Sequence, residues 1–174
     1  EAITPRTKAI ITVDIAGMPC QYDKIKQMLD TPQVREKYSA NSDVQKKLNR
    51  ILLISDSAHA VGAEYRGKTI TQWVDVSVQS FHAVKNITSA EGGAICLNLP
   101  QQFDEEETRK FFKLMTLNGQ TKDAFTKNQA GAWRYDIVEF GMKINLPDIN
   151  AAVALAQLRK YDYLLQERKR VFDL

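Results

Sequence analysis

The chain has 174 residues, of which 44% are hydrophobic and 26% charged. This is an ordinary globular composition that is sufficient for one substantial core. The formal net charge of +3 comes from 24 basic and 21 acidic residues, and an excess this small and scattered does not favour binding to nucleic acid or to a membrane surface. No apolar run approaches the roughly 20 residues that are needed to span a bilayer.

The first half of the chain predicts two buried strands with helical and polar segments between them. Lys8–Asp14 (KAIITVD) is apolar and β-branched like a buried strand, and Tyr22–Leu29 (YDKIKQML) is patterned like a helix. Pro32–Asn49 is polar and charged, which predicts a loop and then a helix at DVQKKLNR. Ile51–Ser55 (ILLIS) is a second buried strand that ends on Asp56.

The second half continues the alternation of strands and helices. Val76–Val78 and the segment GGAICLN read as strands, and Asp104–Met115 reads as a helix whose acidic first turn suits its dipole. A last helix begins near Pro147, since proline is tolerated in a first turn. This order predicts an α/β protein with a mostly parallel sheet that is flanked by helices and covered on both faces.

The cysteines and the chain ends give two further expectations. Cys20 and Cys96 lie in apolar surroundings without CxxC spacing, so we expect buried free thiols rather than a disulfide, in keeping with a reducing cytoplasm. A metal site is not expected, because there are only two histidines and no HExxH motif. The chain begins close to a strand without Met and stops at Leu174 within a helical pattern, which predicts a longer polypeptide.

Lys85 is the first candidate for chemistry, within the polar run SFHAVKNITSAEGG. A lysine amine becomes a nucleophile when burial and neighbouring groups leave part of it deprotonated. The alternative is a solvated surface lysine. The serine and histidine before Lys85, and the Gly92–Gly93 turn after it, favour a site where backbone can approach a ligand closely.

Asp56 is the second candidate, because ligands of parallel sheets bind beyond the carboxyl ends of strands. It could instead cap a helix or pair with a lysine. A lysine that forms an imine and an aspartate that keeps a pyridine nitrogen protonated are the two groups that a pyridoxal phosphate (PLP) enzyme needs. The histidines, His59 and His82, lie three residues after Asp56 and three before Lys85.

Four ordered segments resemble the DegT–DnrJ–StrS family of PLP-dependent nucleotide-sugar aminotransferases. They are ITPRTKAIITVDIAGMPCQYDKI, ISDSAHAVGAEYRGK, SFHAVKNITSAEGGAI and FGMKINLPDINAAVALAQL. The likeness runs through nearly the whole chain and is weakest at Thr31–Asn49. It implies the aspartate aminotransferase-like fold of fold-type I, with residues 1–174 as a partial PLP-binding large domain. The N-terminal phosphate loop and the C-terminal small domain of the family are then outside the chain.

The resemblance also implies roles for individual residues. Lys85 matches the lysine that binds the cofactor covalently and then moves protons. Asp56 matches the carboxylate that pairs with the pyridine nitrogen, and His59 matches a Gln/His position near the phenolic oxygen. Ala58 matches a small residue beneath the ring, and Ser80 matches a hydroxyl that binds the phosphate. His82 belongs to the SFH signature, without an assigned role.

Lys143 is expected to reach the cofactor phosphate from a neighbouring subunit. The family commonly has G-x-N-x-R where this chain has GMKIN, so Lys143 replaces the usual asparagine and Asn145 the usual arginine. Lysine can bind phosphate as a point charge, although a surface lysine near a turn is the alternative. The likeness thus implies a homodimer with a site shared across the interface.

The implied reaction is transamination from L-glutamate to a nucleotide-linked keto-sugar. Its product would serve polysaccharide, lipopolysaccharide or antibiotic sugar biosynthesis in the cytoplasm. One branch of the family has histidine at the lysine position and dehydrates sugars instead, whereas this chain has Lys85. A non-catalytic member acting in assembly or regulation is the alternative from another class.

Overall fold

The computed structural model describes residues 2–121 and 134–174. These form two compact units, Glu1–Gln102 with Asp148–Leu174, and Phe103–Pro147. The first unit contains every candidate site residue except Lys143. That residues 1–174 are one partial domain of a larger protein stays a prediction.

A four-stranded sheet organises the first unit. Its strands are β1 (Ala9–Val13), β2 (Leu52–Asp56), β5 (Val76–Ser80) and β6 (Gly93–Leu97), in the order β1-β2-β5-β6. β1, β2 and β5 are parallel, and β6 runs antiparallel to β5. Two further strands, β3 (Glu64–Tyr65) and β4 (Lys68–Thr69), pair as a small antiparallel hairpin. The predicted α/β class with a mostly parallel sheet is confirmed.

Three helices connect β1 to β2: α1 (Tyr22–Leu29), α2 (Pro32–Lys37) and α3 (Asp43–Leu48). The predicted α1 and α3 are confirmed, but the predicted loop at the start of Pro32–Asn49 is wrong because α2 lies there. Pro32 occupies the first turn of α2, where its missing N–H costs nothing. Polar composition concealed this helix, since none of its residues is buried.

The later helices also begin close to where the sequence predicts. α4 (Glu105–Thr116) lies in the second unit, and the Asp104 carboxylate caps it by accepting from Glu107 N at 2.9 Å. The predicted last helix is two helices, α5 (Asp148–Leu158) and α6 (Tyr161–Phe172), separated by Arg159 and Lys160. Among the described residues, no helix is both long and apolar enough to cross a bilayer.

The core of the first unit lies on one face of the sheet. Its buried apolar residues come from α1, β2 and the segments around β3, β4 and the 3-10 turn Ile70–Gln72: Tyr22, Leu29, Ile51, Leu53, Ala60, Ile70 and Val74. On the opposite face Ile11 is 66% exposed, Val13 52% and Val78 41%. Within residues 2–121 and 134–174, the expectation of cover on both faces is therefore met on one face only. A continuous apolar run shows that both faces are apolar, not what covers them.

The cysteines depart from expectation in one respect. Both are free thiols, but neither is buried: Cys20 and Cys96 are each partly exposed. Cys20 lies just before α1, where its backbone N–H donates to the Asp14 carboxylate at 3.0 Å. Partial desolvation, and then the charge of Asp14, raise the pKa of the Cys20 thiol.

Candidate active site

Asp56 and Ser80 lie on the same face of the sheet, at the carboxyl ends of two neighbouring parallel strands. Asp56 is the last residue of β2 and pairs in register with Val78 of β5, two residues before Ser80. Side chains two residues apart on a strand share a face. This face is the exposed one, so the Asp56 carboxylate is open to solvent. Parallel sheets bind their ligands at these carboxyl ends of the strands.

In the part of the chain that the structure describes, the Asp56 carboxylate has one hydrogen-bond partner. Its Oδ1 accepts from Ala58 N at 3.1 Å, which starts the turn that follows β2. Among the described residues it forms no ion pair, so the alternative of a lysine partner is not what the structure shows there. A carboxylate oxygen that is not already paired at a strand end can accept a hydrogen bond from a donor group of a ligand.

The turn after Asp56 places Ala58 and His59. Ser57 is buried and its N–H donates to Val78 O at 2.9 Å, which fixes the turn to β5. Ala58 is half-buried and His59 is exposed. His59 Nδ1 accepts from Ala16 N at 3.2 Å, so its proton lies on Nε2.

Gly17 explains how the neighbouring loop comes so close to His59. Its φ of +78° lies in the left-handed region, and a Cβ built there would lie 3.3 Å from His59 O. Glycine adopts this conformation without the cost that other residues pay. The 3-10 turn Ile15–Gly17 can therefore pack its backbone directly against His59.

Asp14 is a functional candidate that the sequence analysis missed. It follows the carboxyl end of β1, next to the carboxyl end of β2 that bears Asp56. Asp14 is fully buried, and its N–H donates to Asp56 O at 3.0 Å. Its carboxylate accepts from the Tyr22 hydroxyl at 2.7 and 2.8 Å and from Ser57 Oγ at 3.0 Å. Ser55 Oγ also donates to it. A carboxylate directly after an apolar strand was the signal that could have identified it.

This buried network stabilises the base of the candidate site. Burying a carboxylate is costly unless hydrogen bonds satisfy its oxygens, and here hydroxyl groups from α1, from β2 and from the turn after β2 do so. Burial raises the pKa of the Tyr22 phenol, so the hydroxyl keeps the proton that it donates. The network thus fixes the turn that carries Asp56, Ala58 and His59.

Lys85 lies in the loop between β5 and β6. Its backbone N–H donates to His82 O at 3.0 Å, and His82 N in turn donates to Ser80 Oγ at 3.3 Å. Lys85 is half-buried, and among the described residues its amine has no hydrogen-bond or ion-pair partner.

The base of this loop is closed by further contacts. Phe81 N donates to Gly92 O at 2.8 Å, and His82 Nε2 lies 3.6 Å from a Glu91 carboxylate oxygen. Asn150, the second residue that the sequence analysis missed, reaches from α5 to donate to Ser89 O at 2.7 Å and to Glu91 O at 3.2 Å. Asn150 lies within the quoted FGMKINLPDIN segment, which was its only signal.

Lys143 lies in the second unit and is exposed. Its ammonium donates to Asn145 Oδ1, and its backbone bridges to Leu117. Asn145 thus partners Lys143 where the family commonly has arginine. The contact of Lys143 with a cofactor of a neighbouring subunit stays a prediction.

A cavity of about 420 Å³ lies away from these residues. Its lining includes Arg50, which precedes β2, and Asp75, which precedes β5, so it is at the amino ends of the parallel strands. Arg50 and Asp75 pair with each other at 2.5 and 2.7 Å. The cavity is therefore at the opposite end of the strands from Asp56 and Ser80.

The groups near the carboxyl ends of β2 and β5 fit the cofactor that the resemblance implies. Considering only residues 2–121 and 134–174, they are an amine without a polar partner (Lys85), a carboxylate with one unpaired oxygen (Asp56), a hydroxyl (Ser80) and a small side chain (Ala58). These are the chemical types that would bind an aldehyde, a pyridine nitrogen, a phosphate and a ring face. The role of each residue stays a prediction.

Solved structures support the fold on which this site is built. A putative sugar aminotransferase from Streptococcus pneumoniae, Spr1654, in its PMP form, is 46% identical with a TM-score of 0.89, over 98% of this chain and 42% of that one. Its PLP form is 43% identical with a TM-score of 0.88, over 99% and 41%. Helicobacter pylori PseC, an aminotransferase involved in the biosynthesis of pseudoaminic acid, is 32% identical with a TM-score of 0.69, over 95% and 36%.

Sequence comparison leads to the same group of proteins. The uncharacterized protein MJ1066 of Methanocaldococcus jannaschii is 37% identical over 171 residues, which are 98% of this chain and 38% of that protein. The chain thus spans well under half the length of these relatives. The model of the DegT/DnrJ/EryC1/StrS aminotransferase family matches residues 1–35 and 40–174, and its short gap falls in the predicted weakest segment, Thr31–Asn49. The chain belongs to the DegT/DnrJ/EryC1/StrS aminotransferase family.

Proposed function

We propose that the complete protein is a PLP-dependent aminotransferase that moves an amino group from L-glutamate to a nucleotide-linked keto-sugar. The family match and the solved PLP and PMP forms of similar sugar aminotransferases support this proposal. The observation that carries it is the half-buried Lys85 amine without a partner among the described residues, in the loop that follows the strand ends bearing Asp56 and Ser80.

Each residue has a distinct task in this proposal. Bound PLP supplies an electron-accepting ring that stabilises negative charge at the substrate carbon. Lys85 would hold the cofactor through its amine and would move a proton as a general acid and base. Asp56 would accept a hydrogen bond from the ring nitrogen, and Ser80 would donate one to the phosphate. His59, with its proton on Nε2, acts as a donor beside the ring.

The assembly and location follow from the same proposal. We expect a homodimer in which Lys143 of each protomer contributes to the phosphate site of its partner. The two free cysteines are in keeping with a cytoplasmic enzyme. Its amino sugar would be used in polysaccharide, lipopolysaccharide or antibiotic sugar biosynthesis.

Lys85→Ala in the complete protein is the decisive variant. The wild type should be yellow with PLP, and borohydride should fix the cofactor to the peptide that contains Lys85, as located by mass spectrometry. Lys85→Ala should lose this adduct and about three orders of magnitude or more of kcat, because both the nucleophile and the proton carrier are removed. Lys24→Ala, which changes an exposed lysine on α1, is the control and should keep both properties.

The substrate is found by offering a panel of nucleotide-linked keto-sugars with L-glutamate and reading the products by mass. For at least one sugar we expect a product in which one keto group has become an amino group, together with an equal amount of 2-oxoglutarate. A wild type that stays colourless with added PLP, or that carries the borohydride adduct elsewhere, would contradict the proposal and favour a non-catalytic role.

A further inference from the structure

Helix α6 donates hydrogen bonds to the backbone of both loops that carry the candidate residues. The Tyr161 hydroxyl donates to Val61 O, in the segment that follows Asp56 and His59. Arg168 Nη1 donates to Asn86 O at 3.0 Å, immediately after Lys85. Tyr161 and Arg168 are seven residues apart, so they lie on the same side of the helix, about 10 Å apart along its axis.

The two loops are also joined to each other. Asn86 Nδ2 donates to Val61 O at 3.5 Å, so the Val61 carbonyl accepts from Tyr161 and from Asn86 together. We call Tyr161, Arg168, Asn86 and the Val61 carbonyl the clasp. Through the clasp, helix α6 and the shared Val61 carbonyl connect the segment that follows Asp56 to the loop of Lys85.

The local packing is built for this contact. Gly62 has a φ of +76°, and a Cβ there would lie 2.0 Å from the Tyr161 hydroxyl oxygen. A side chain at Gly62 would therefore exclude the tyrosine from the Val61 carbonyl. Burial raises the pKa of Tyr161, so the hydroxyl remains a donor across the working range of pH.

We propose that the clasp sets the separation between Asp56 and Lys85, with Tyr161 and Arg168 as positioning residues. The inference rests on the proposed function, in which Asp56 and Lys85 contact opposite ends of one ring. His82, Ala83 and Val84, which precede Lys85, are exposed, whereas Ile87 and Ser89, which follow it, are buried. Arg168 and Asn86 fix the loop on that side of Lys85.

The geometry predicts an effect on the reaction more than on substrate affinity. Small misplacements of a reacting group slow the chemical step strongly, because the group must meet its target at a defined distance. Neither Tyr161 nor Arg168 is a candidate substrate contact. Their removal should therefore lower kcat and leave KM for glutamate nearly unchanged.

The test uses Tyr161→Phe, Arg168→Met and the double variant in the complete protein with PLP. We expect kcat to fall on the order of tenfold for each single variant and further for the double one, with KM for glutamate changed less than about twofold. The pH midpoint of the visible absorbance of bound PLP should shift, because it reports the surroundings of the Lys85 nitrogen. Arg168→Lys, which keeps a donor, should recover part of kcat.

Matched controls lie on the same helix. Tyr163→Phe changes an exposed tyrosine, and Arg170→Met changes an arginine that pairs only with Glu167 among the described residues. Both should keep the wild-type kcat and absorbance midpoint. Amide hydrogen exchange of cofactor-free protein gives a second readout, in which residues 57–63 and 81–92 should exchange faster in the clasp variants.

The outcomes separate the clasp from the proposed function. A colourless wild type, or one without the Lys85 adduct, overturns the proposed function, and hydrogen exchange then still tests whether the clasp fixes the loops. A yellow wild type whose clasp variants keep kcat, the absorbance midpoint and exchange rates overturns the clasp. Variants that lose thermal stability and activity together, with no shift of the midpoint, also overturn it, because they show a structural role only.

Discussion

Asp14 is the residue on which the polar contacts beneath the candidate site converge. It is fully buried, its backbone binds that of Asp56, and its carboxylate accepts from Tyr22, Ser55 and Ser57. The Tyr22 phenol has a raised pKa, chiefly because it is desolvated. The turn that presents Asp56 and His59 therefore depends on a tyrosine that must stay protonated.

Tyr22 makes stability depend on pH in the alkaline range. The unfolded phenol loses its proton near pH 10, whereas the folded one keeps it to a higher pH. Above about pH 10 the folded state then binds more protons than the unfolded state. The free energy of unfolding should thus fall by up to about 1.4 kcal/mol per pH unit from this group.

Tyr22→Phe checks this expectation. The variant should be less stable than the wild type at pH 8, because Asp14 loses a donor, but its stability should fall less steeply between pH 10 and 11. Denaturant unfolding at the three pH values gives both numbers. Tyr163→Phe, at an exposed tyrosine, is the control. Equal slopes for wild type and Tyr22→Phe would contradict the assignment.

At the scale of elements, the pairing of β5 with β6 positions Ser80. Gly93 pairs with Ser80 at the end of this ladder, next to the loop of Lys85. A Cβ at Gly93 would lie 2.5 Å from Gln79 O, so the two backbones approach more closely than any side chain allows. Glycine is needed here for space, and not for a left-handed conformation.

Gly93→Ala should force the end of this ladder apart. We expect a loss of about 1–3 kcal/mol in the free energy of unfolding, together with weaker PLP binding because Ser80 moves. Gly67→Ala is the comparison: its Cβ would meet nothing within 4 Å, but its φ is +72°. Its free energy of unfolding should fall by only roughly 1 kcal/mol, which is the cost of a left-handed conformation for a residue with a Cβ, and its affinity for PLP should not change. If both variants bind PLP alike, Ser80 does not depend on this pairing.

At the largest scale, the described part of the chain leaves the sheet face that bears Asp56 and Ser80 exposed to solvent. Ile11 and Val13, on the same face, are more than half exposed. A ring bound over this face by residues 1–174 alone would keep much of its surface in water. The relatives are more than twice as long as the segment that they share with this chain.

Residues 1–174, expressed alone, should therefore bind PLP at least about 100-fold more weakly than the complete protein, since little apolar surface is buried. Titration of the visible absorbance with PLP gives both dissociation constants. Circular dichroism of the segment, compared with that expected for its helices and strands, shows whether it is folded. Tight, stoichiometric binding by a folded segment would contradict this prediction.

Local sequence patterns predicted most of the helices and strands, and they identified Asp56 as a candidate site residue. Buried strands such as β2 and helices such as α1 repeat their apolar residues with a period that neighbouring residues alone reveal. Asp56 could be identified because it ends an apolar strand. Helix α2 was not predicted because it is polar and unburied. The break between α5 and α6 was not predicted because the apolar spacing continues across it.

The sequence by itself determined the α/β class, the family resemblance and the candidate pair Asp56 and Lys85. Only the tertiary structure decided that Asp14 lies beneath Asp56, and that α6 holds both loops through contacts that span 100 residues for Tyr161 and 82 for Arg168. The physical reason is that these bonds end on backbone carbonyls. Every residue has a carbonyl, so no pattern of side chains marks the one that a distant donor will reach.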